Sequence, residues 1–348
     1  MPPKIITGEL KRYEEEIITF FQIVGDNTGL NFKTTRIFAY LQVYKALTQK
    51  QLKNLTKFSS STISTTLNSF LQSGIVTREI GTNARVGIYR LKSEKVPFVY
   101  TEFSEIMIEL ENLDKFIVTT QEEVNKFQEE YPMFCEFIRR RLNSFRNYIE
   151  AQRRAIKESS KYSFFIENLS DLGLKENIIS IPDKLEPILK KFVTYMVDNG
   201  VYNRDDPIAN LVFSYMSIYG FITQELLVQL TGLSLSTISR TLNHFMENDT
   251  ISSLPKQYKQ SRIYELPSVS LIIISQILKA DAIIFSWQSK FQNLLNNLEK
   301  TNLPKSYSLE LIKRKIMQVI AQISEFKDGS NRLENAKDEL LVQYNLKK

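Results

Sequence analysis

Ser61-Thr62-Ile63-Ser64-Thr65-Thr66-Leu67-Asn68-Ser69-Phe70 recurs, at an offset of 175, as Ser236-Thr237-Ile238-Ser239-Arg240-Thr241-Leu242-Asn243-His244-Phe245. The register holds well beyond the decapeptide. Without gaps it matches residues 36–91 to 211–266, with 20 identities in 56 positions. Among them are Phe38/Phe213, Tyr40/Tyr215, Tyr44/Tyr219, Thr48/Thr223, Gln49/Gln224, Leu52/Leu227 and Tyr89/Tyr264. Upstream, Leu10 falls on Leu185 and Gly25 on Gly200; downstream, residues 136–142 resemble 310–316 at an offset of 174. A gapless register across several kinds of local pattern reads as two copies of one unit.

The first copy shows what one unit is. Residues 34–47 place Ile37, Tyr40, Leu41, Tyr44 and Leu47 at helical spacing. Thr48 is a good N-cap for a short helix carrying Leu52 and Leu55, and Ser59 for a third helix with Ile63, Leu67 and Phe70 on its inner face. Gly74 is a helix stop. Residues 75–80 and 85–91 read as two strands around Gly81-Thr82-Asn83. The order helix, helix, turn, helix, hairpin is a helix-turn-helix with a wing.

The pattern from Thr48-Gln49 through Leu52, Leu55-Thr56, Ser59, Ser61-Thr62-Ile63-Ser64, Thr66-Leu67-Asn68 and Phe70 resembles the winged helix-turn-helix of the MarR superfamily, its GbsR-like branch in particular. The resemblance covers both copies. It implies a helix before each winged domain, long helices after it, and a dimer interface built from the terminal helices. The expected fold is mainly α with small β-wings: two winged domains on a frame of long helices. The expected boundaries are an N-terminal helix at 1–30, winged domain one at 31–95, long helices at 96–165, a linker and second N-terminal helix at 166–205, winged domain two at 206–268, and long helices at 269–348.

The long helices carry apolar stripes. Val99, Phe103, Ile106, Leu110, Leu113, Ile117, Thr120, Val124, Phe127 and Tyr131 form a coiled-coil-like seam, which predicts one helix of about 33 residues. Ile273, Ile277, Ala280, Ile284, Trp287, Phe291, Leu294 and Leu298 repeat the spacing. With both copies in one chain, the economical expectation is an intramolecular pseudo-dimer, each copy's helices packing on the other's; a further homodimer would present four winged domains.

Composition narrows the function. The 348 residues are 43% hydrophobic and 24% charged, so the chain can bury a proper core. Only 11 Gly and 10 Pro favour long helices. One cysteine, Cys135, excludes an internal disulfide and points to a reducing, cytoplasmic (nucleoid-associated) setting. With His244 as the lone histidine, a His/Cys zinc site has too few ligands, and Cys–His or Ser–His catalysis almost no material. No P-loop, dinucleotide glycine pattern or EF-hand is present, so the expectation is a non-enzyme without metal or cofactor. The apolar runs 271–274 and 282–285 fall far short of the roughly 20 residues a membrane span needs, and the charged residues 1–16 lack a signal-peptide core.

The net charge of +6 is unevenly spread. Residues 33–95 hold 11 basic against 2 acidic residues, net +9, while residues 208–270 hold four of each. Residues 98–134 are net −7 and 136–161 net +5. A basic winged body attracts phosphate and releases counterions, affinity without sequence preference. Helical geometry turns Ser61, Thr65, Asn68 and Gln72 outward with Thr62 and Ser69 near them; the counterparts are Ser236, Thr237, Arg240, Asn243, His244 and Glu247. In a major groove Asn suits adenine, and Arg240 suits guanine or a phosphate. The alternative for the Ser/Thr positions is helix capping. His244 suits a phosphate or base contact better than a pH sensor or metal ligand, since no second ligand accompanies it. The wings carry Arg78, Arg85 and Arg90 in copy one and Lys256, Lys259 and Arg262 in copy two, with Arg85 and Arg262 the best candidates for a narrow minor groove. Outside the winged domains, Arg139-Arg140-Arg141 with Arg146, Arg153 and Arg154 either extends the DNA track or pairs with acids of the preceding helix.

These readings converge on double-stranded DNA. The leading expectation is a transcription regulator whose single chain mimics a dimer, its two recognition helices entering successive major grooves. The family resemblance adds an unidentified small effector. The competing expectations are an architectural DNA-binding protein of low specificity and a winged-helix scaffold for protein partners; the neutral second domain, with outward Glu247, suits the last.

Overall fold

The computed structural model describes residues 5–27, 31–80, 87–92, 103–156, 163–165, 181–202, 206–254, 261–301, 303–304 and 306–343. These residues are mostly helical, with two small antiparallel three-stranded sheets. They divide into two compact units, Met1–Phe103 with Lys279–Gly329 and Ser104–Leu278 with Ser330–Lys348.

In unit 1 a 3-10 turn at Gly8–Leu10 leads into α1 (Lys11–Asn27), α2 (Phe32–Tyr44), β1 (Ala46–Thr48), α3 (Gln49–Thr56), α4 (Ser60–Gln72), β2 (Val76–Ile80) and β3 (Gly87–Leu91). Capping sets the helix starts. The Thr48 hydroxyl accepts from the Gln51 amide while Gln51 bonds back to Thr48, a reciprocal box, and the Ser59 hydroxyl accepts from Thr62 N–H at 3.1 Å. The strands run in the order β1-β3-β2, with Leu47 opposite Tyr89 and Arg78 opposite Tyr89 on the other side.

Unit 2 holds α5 (Phe103–Asn125, from residue 104), α6 (Pro132–Ile156), α7 (Glu186–Asp198), α8 (Pro207–Tyr219), β4 (Phe221–Thr223), α9 (Gln224–Thr231), α10 (Leu235–Glu247), β5 (Ser252–Ser253) and β6 (Ile263–Glu265). Its sheet order is β4-β6-β5, with Ile222 opposite Tyr264. Thr223 caps α9 and Ser234 caps α10; they stand 175 residues after Thr48 and Ser59. Two long helices serve both units: α11 (Val269–Lys300) changes unit after Leu278 and α12 (Tyr307–Gln343) after Gly329.

The left-handed residues show how closely the backbones of the two sheet regions agree. Lys45, Lys57 and Gly74 have φ of 64°, 62° and 72°; Gly220, Gly232 and Asp249, 175 residues further on, have φ of 69°, 69° and 57°. Lys57 and Gly232 each terminate a helix in this conformation, which glycine adopts without cost and lysine does not.

Each core combines distant stretches of chain. In unit 1, Phe20, Phe21, Phe38, Leu52, Leu67 and Phe70 pack with Trp287, Phe291, Leu298, Ile312 and Ile316 of α11 and α12. Phe20 meets Phe291 edge-on at 5.2 Å and Trp287 at 5.8 Å. In unit 2, Ile117, Phe137, Leu142 and Phe145 of α5 and α6 pack with Phe192, Phe213, Ile238, Leu242 and Phe245. A smaller cluster there joins Ala151 and Phe164 to Leu271, Ile274, Leu333 and Leu340.

Two expectations need correction. The predicted helix of about 33 residues ends at Asn125: turns at 126–130 follow, and α6 begins at Pro132, which disfavours helical geometry at Tyr131. Phe127 and Tyr131 of the seam therefore lie in a turn that packs on the unit 2 core, and Val99 lies outside the described residues. The second stripe contains a helix, Val269–Lys300, long and apolar enough to cross a membrane by length and composition, with 44% of its most apolar window buried in the protein. Scanning for uninterrupted apolar runs missed it, because its sparse Ser, Gln, Lys and Asp residues break the runs without lowering the average much.

The arginine cluster of α6 pairs with acids: Arg146 and Arg153 both bond Asp114 of α5 at 3.1 and 3.2 Å, and Arg154 bonds Glu150 and Glu339 at 3.0 and 2.7 Å. Arg139 and Arg140 share Glu136. Arg141 is buried and donates to the carbonyls of Ser217 at 2.7 Å, Pro267 at 3.2 Å and Met216 at 3.4 Å, a cation seated on the C-terminal carbonyls of α8. Of the two alternatives for this cluster, the structure shows acid pairing and a buried cap.

Candidate nucleic-acid interface

Ile63, Leu67 and Phe70 point α4 into the core of unit 1, which leaves Ser61, Thr65, Asn68, Ser69 and Gln72 exposed on its other side. Thr62 is half-buried, and its hydroxyl lies 2.9 Å from that of Ser59; the Ser61 hydroxyl lies 2.8 Å from the same cap. These two side chains thus belong to the cap as well as to the surface. No acidic residue stands on α4.

Five exposed lysines lie on other elements of the same unit: Lys33 on α2, Lys50 and Lys53 on α3, Lys57 at its end and Lys92 after β3. None of the five has an ion-pair partner among the described residues. Only the charge total of 33–95 signalled them; helix-face geometry applied to α4 alone passed them over.

The residues expected in a wing behave individually. Arg78 is exposed and lies over the Tyr89 ring, 5.9 Å from its centroid. A Cβ on Gly87 would come within 2.7 Å of the Arg78 Nε, so this glycine keeps the arginine's path across the sheet clear. Tyr89 in turn accepts from the Gln49 amide at 3.1 Å. Arg90 forms a forked pair with Glu79, at 2.8 Å from Nε and 3.3 Å from Nη2. That bond holds the Glu79 carboxyl below its usual range and raises Arg90. Arg90, expected to contact DNA, has its charge matched by Glu79 of the same sheet. Arg85 lies outside the described residues, as do Lys256 and Lys259.

In unit 2, Ser236, Arg240, Asn243, His244 and Glu247 are exposed on α10, and Thr237 is half-buried. The Ser234 hydroxyl lies 2.9 Å from those of Ser236 and Thr237, as in α4. Arg240 and Arg262 are exposed without an ion-pair partner among the described residues. The His244 ring sits beside the Asn248 amide, 3.2 Å from Nε2. Acids occupy positions that are basic or neutral in unit 1: Glu225 is the repeat counterpart of Lys50, and Glu247 that of Gln72. Leu235, which opens α10 where Ser60 opens α4, is 55% exposed. Among the described residues no group of three or more His, Cys, Asp or Glu side chains is arranged to hold a metal ion.

No protein-family model matches this chain, and no curated protein matches it.

Proposed function

We propose that this protein binds double-stranded DNA through winged helix-turn-helix bodies, as a transcription regulator whose single chain carries the two DNA-binding bodies of a MarR- or GbsR-like dimer. One observation carries the reading. The outward face of α4 presents Thr65, Asn68, Ser69 and Gln72 without an acid, and the unit that carries it exposes five lysines that have no ion-pair partner among the described residues. The lysines supply counterion-releasing phosphate contacts, and the amide and hydroxyl groups supply base-edge partners. Arg78 and Gly87 support a wing that approaches the duplex. In unit 2, Arg240 and Asn243 are the groups suited to reading bases.

A second reading for the unit 2 body alone has its own support. Glu225, Glu247 and the exposed Leu235 suit a protein partner better than a phosphate backbone.

Selection from a random duplex library at physiological salt tests both, using wild type, Lys50→Ala/Lys53→Ala/Lys57→Ala, Asn68→Ala and Arg240→Ala. The expected result is one enriched motif, general weakening in the triple variant, and relaxed preference at particular positions in the other two. Binding without enrichment replaces the regulator by an architectural protein. No binding overturns the DNA reading.

A further inference from the structure

Tyr40 and Tyr44 of α2 and Tyr215 and Tyr219 of α8 occupy matching positions of the repeat, and in both units they stand beside the preceding helix. In unit 1 the space beside them is filled by the protein's own ions. Glu14 of α1 is fully buried and accepts from the Tyr44 hydroxyl at 2.5 Å, while that hydroxyl accepts from Ile6 N–H at 2.9 Å. The Lys11 ammonium bonds Glu14, lies 3.5 Å from Glu15, and stands 5.7 Å from the Tyr40 ring centroid. Lys11 is thus an alkylammonium seated between an aromatic face and carboxylates, each polar group matched.

Unit 2 keeps the tyrosines and loses the filling. Glu186 stands at the position of Lys11, Leu189 at that of Glu14 and Lys190 at that of Glu15. What remains is a cavity of about 110 Å³ lined by Glu186, Leu189, Lys190, Tyr215, Tyr219 and Gln229, among others. Tyr219 is only 6% exposed and Tyr215 8%, and neither hydroxyl has a hydrogen-bond partner among the described residues. Neither hydroxyl is sealed from solvent, so water in the cavity is the partner that a ligand would displace. Burial, Glu186 and Tyr215 together push the Tyr219 phenol up to about 12, so it stays neutral and can accept a hydrogen bond.

We propose that this cavity binds a small primary alkylammonium ion, the free counterpart of the Lys11 side chain. The Tyr215 and Tyr219 rings face the cation, the Tyr219 hydroxyl accepts from it, and the Glu186 carboxylate neutralises it. The volume matches a chain of four or so carbons and is well below the roughly 300 Å³ and above of drug-sized sites. So small a ligand binds weakly, with Kd on the order of 1 mM. The site is independent of the DNA reading.

The test is the thermal midpoint of the full chain in n-butylammonium chloride, against sodium chloride at equal ionic strength and against n-butanol. The expected result is a rise of about 3 °C at roughly tenfold Kd with the ammonium alone. Glu186→Gln should lose most of the rise. Glu186→Lys/Leu189→Glu, which transplants the ion pair of unit 1, should show none, because an internal ammonium then occupies the cavity. Lys190→Ala removes a competing cation from the rim and should keep or enlarge the rise. The proposal is overturned if n-butanol stabilises equally, if Glu186→Gln keeps the full response, or if neither wild type nor Lys190→Ala responds.

Discussion

The Gln49 amide donates to the Tyr89 hydroxyl at 3.1 Å, and in the second copy the Gln224 amide donates to Tyr264 at 3.0 Å. Thr56 and Thr231 each bond a carbonyl one turn back, at 2.7 and 2.6 Å, and each then accepts from the amide two residues ahead at 3.2 Å. The surfaces laid over this shared scaffold differ. Lys50 faces Glu225 in the comparison, Lys57 faces Gly232, Thr65 faces Arg240 and Gln72 faces Glu247. Buried hydrogen bonds are expensive to lose, so they hold the backbone to one path. Exposed side chains are free to change, and they decide what each body meets.

Four experiments test how far the two bodies have diverged. The largest effect is expected from Arg141→Met, which strips the cation from the carbonyls of Met216, Ser217 and Pro267. Urea unfolding should show a loss of about 3 kcal/mol, and hydrogen exchange should show protection lost in α8 and β4 while α2 and β1 keep theirs. Next is Lys50→Ala/Lys53→Ala/Lys57→Ala. Removal of three phosphate contacts should weaken DNA binding about 100-fold at physiological salt and flatten the salt slope by about 3; salt-dependent fluorescence anisotropy reads both. The third pairs two identical substitutions. Tyr44→Phe takes one donor from the buried Glu14, which keeps Lys11, and takes the acceptor from Ile6 N–H; it should cost about 2 kcal/mol, whereas Tyr219→Phe, whose hydroxyl has no partner among the described residues, should cost less than about 0.5 kcal/mol. Equal losses would show that the two tyrosines do the same job. The smallest effect is expected at the left-handed helix ends. Lys57→Gly should stabilise by about 0.5–1 kcal/mol and Gly232→Ala destabilise by about 1 kcal/mol, both read from denaturant midpoints.

Local features were the most legible in the sequence. The caps at Thr48, Ser59 and Ser234 and the inner face of Ile63, Leu67 and Phe70 follow from side-chain chemistry acting over three or four residues. The first strand of the first hairpin, read at 75–80, begins at Val76. What escaped was set over longer distances. No local pattern tells that Arg141 seats on a helix end 75 residues away, or that Glu79 matches the charge of Arg90. The seam from Val99 to Tyr131 kept its spacing through the turn after Asn125, since apolar periodicity records what is buried and not whether the helix continues. For the candidate site, the outward face of α4 was legible and the lysines of the same unit were not, because they come from separate elements that only folding brings to one body.

The division of α11 and α12 between the units also governs the order in which the protein can be made. The core of unit 1 needs Trp287, Phe291, Ile312 and Ile316 to close over Phe20 and Phe38. A ribosome that has finished Leu91 must add more than two hundred further residues before that core is complete, roughly ten to forty seconds at ordinary elongation rates. For that interval Phe20, Phe21 and Phe38 have only part of their cover. The nascent first body therefore waits on the last quarter of its own chain, and a truncation in α12 should be felt in residues more than 250 positions upstream.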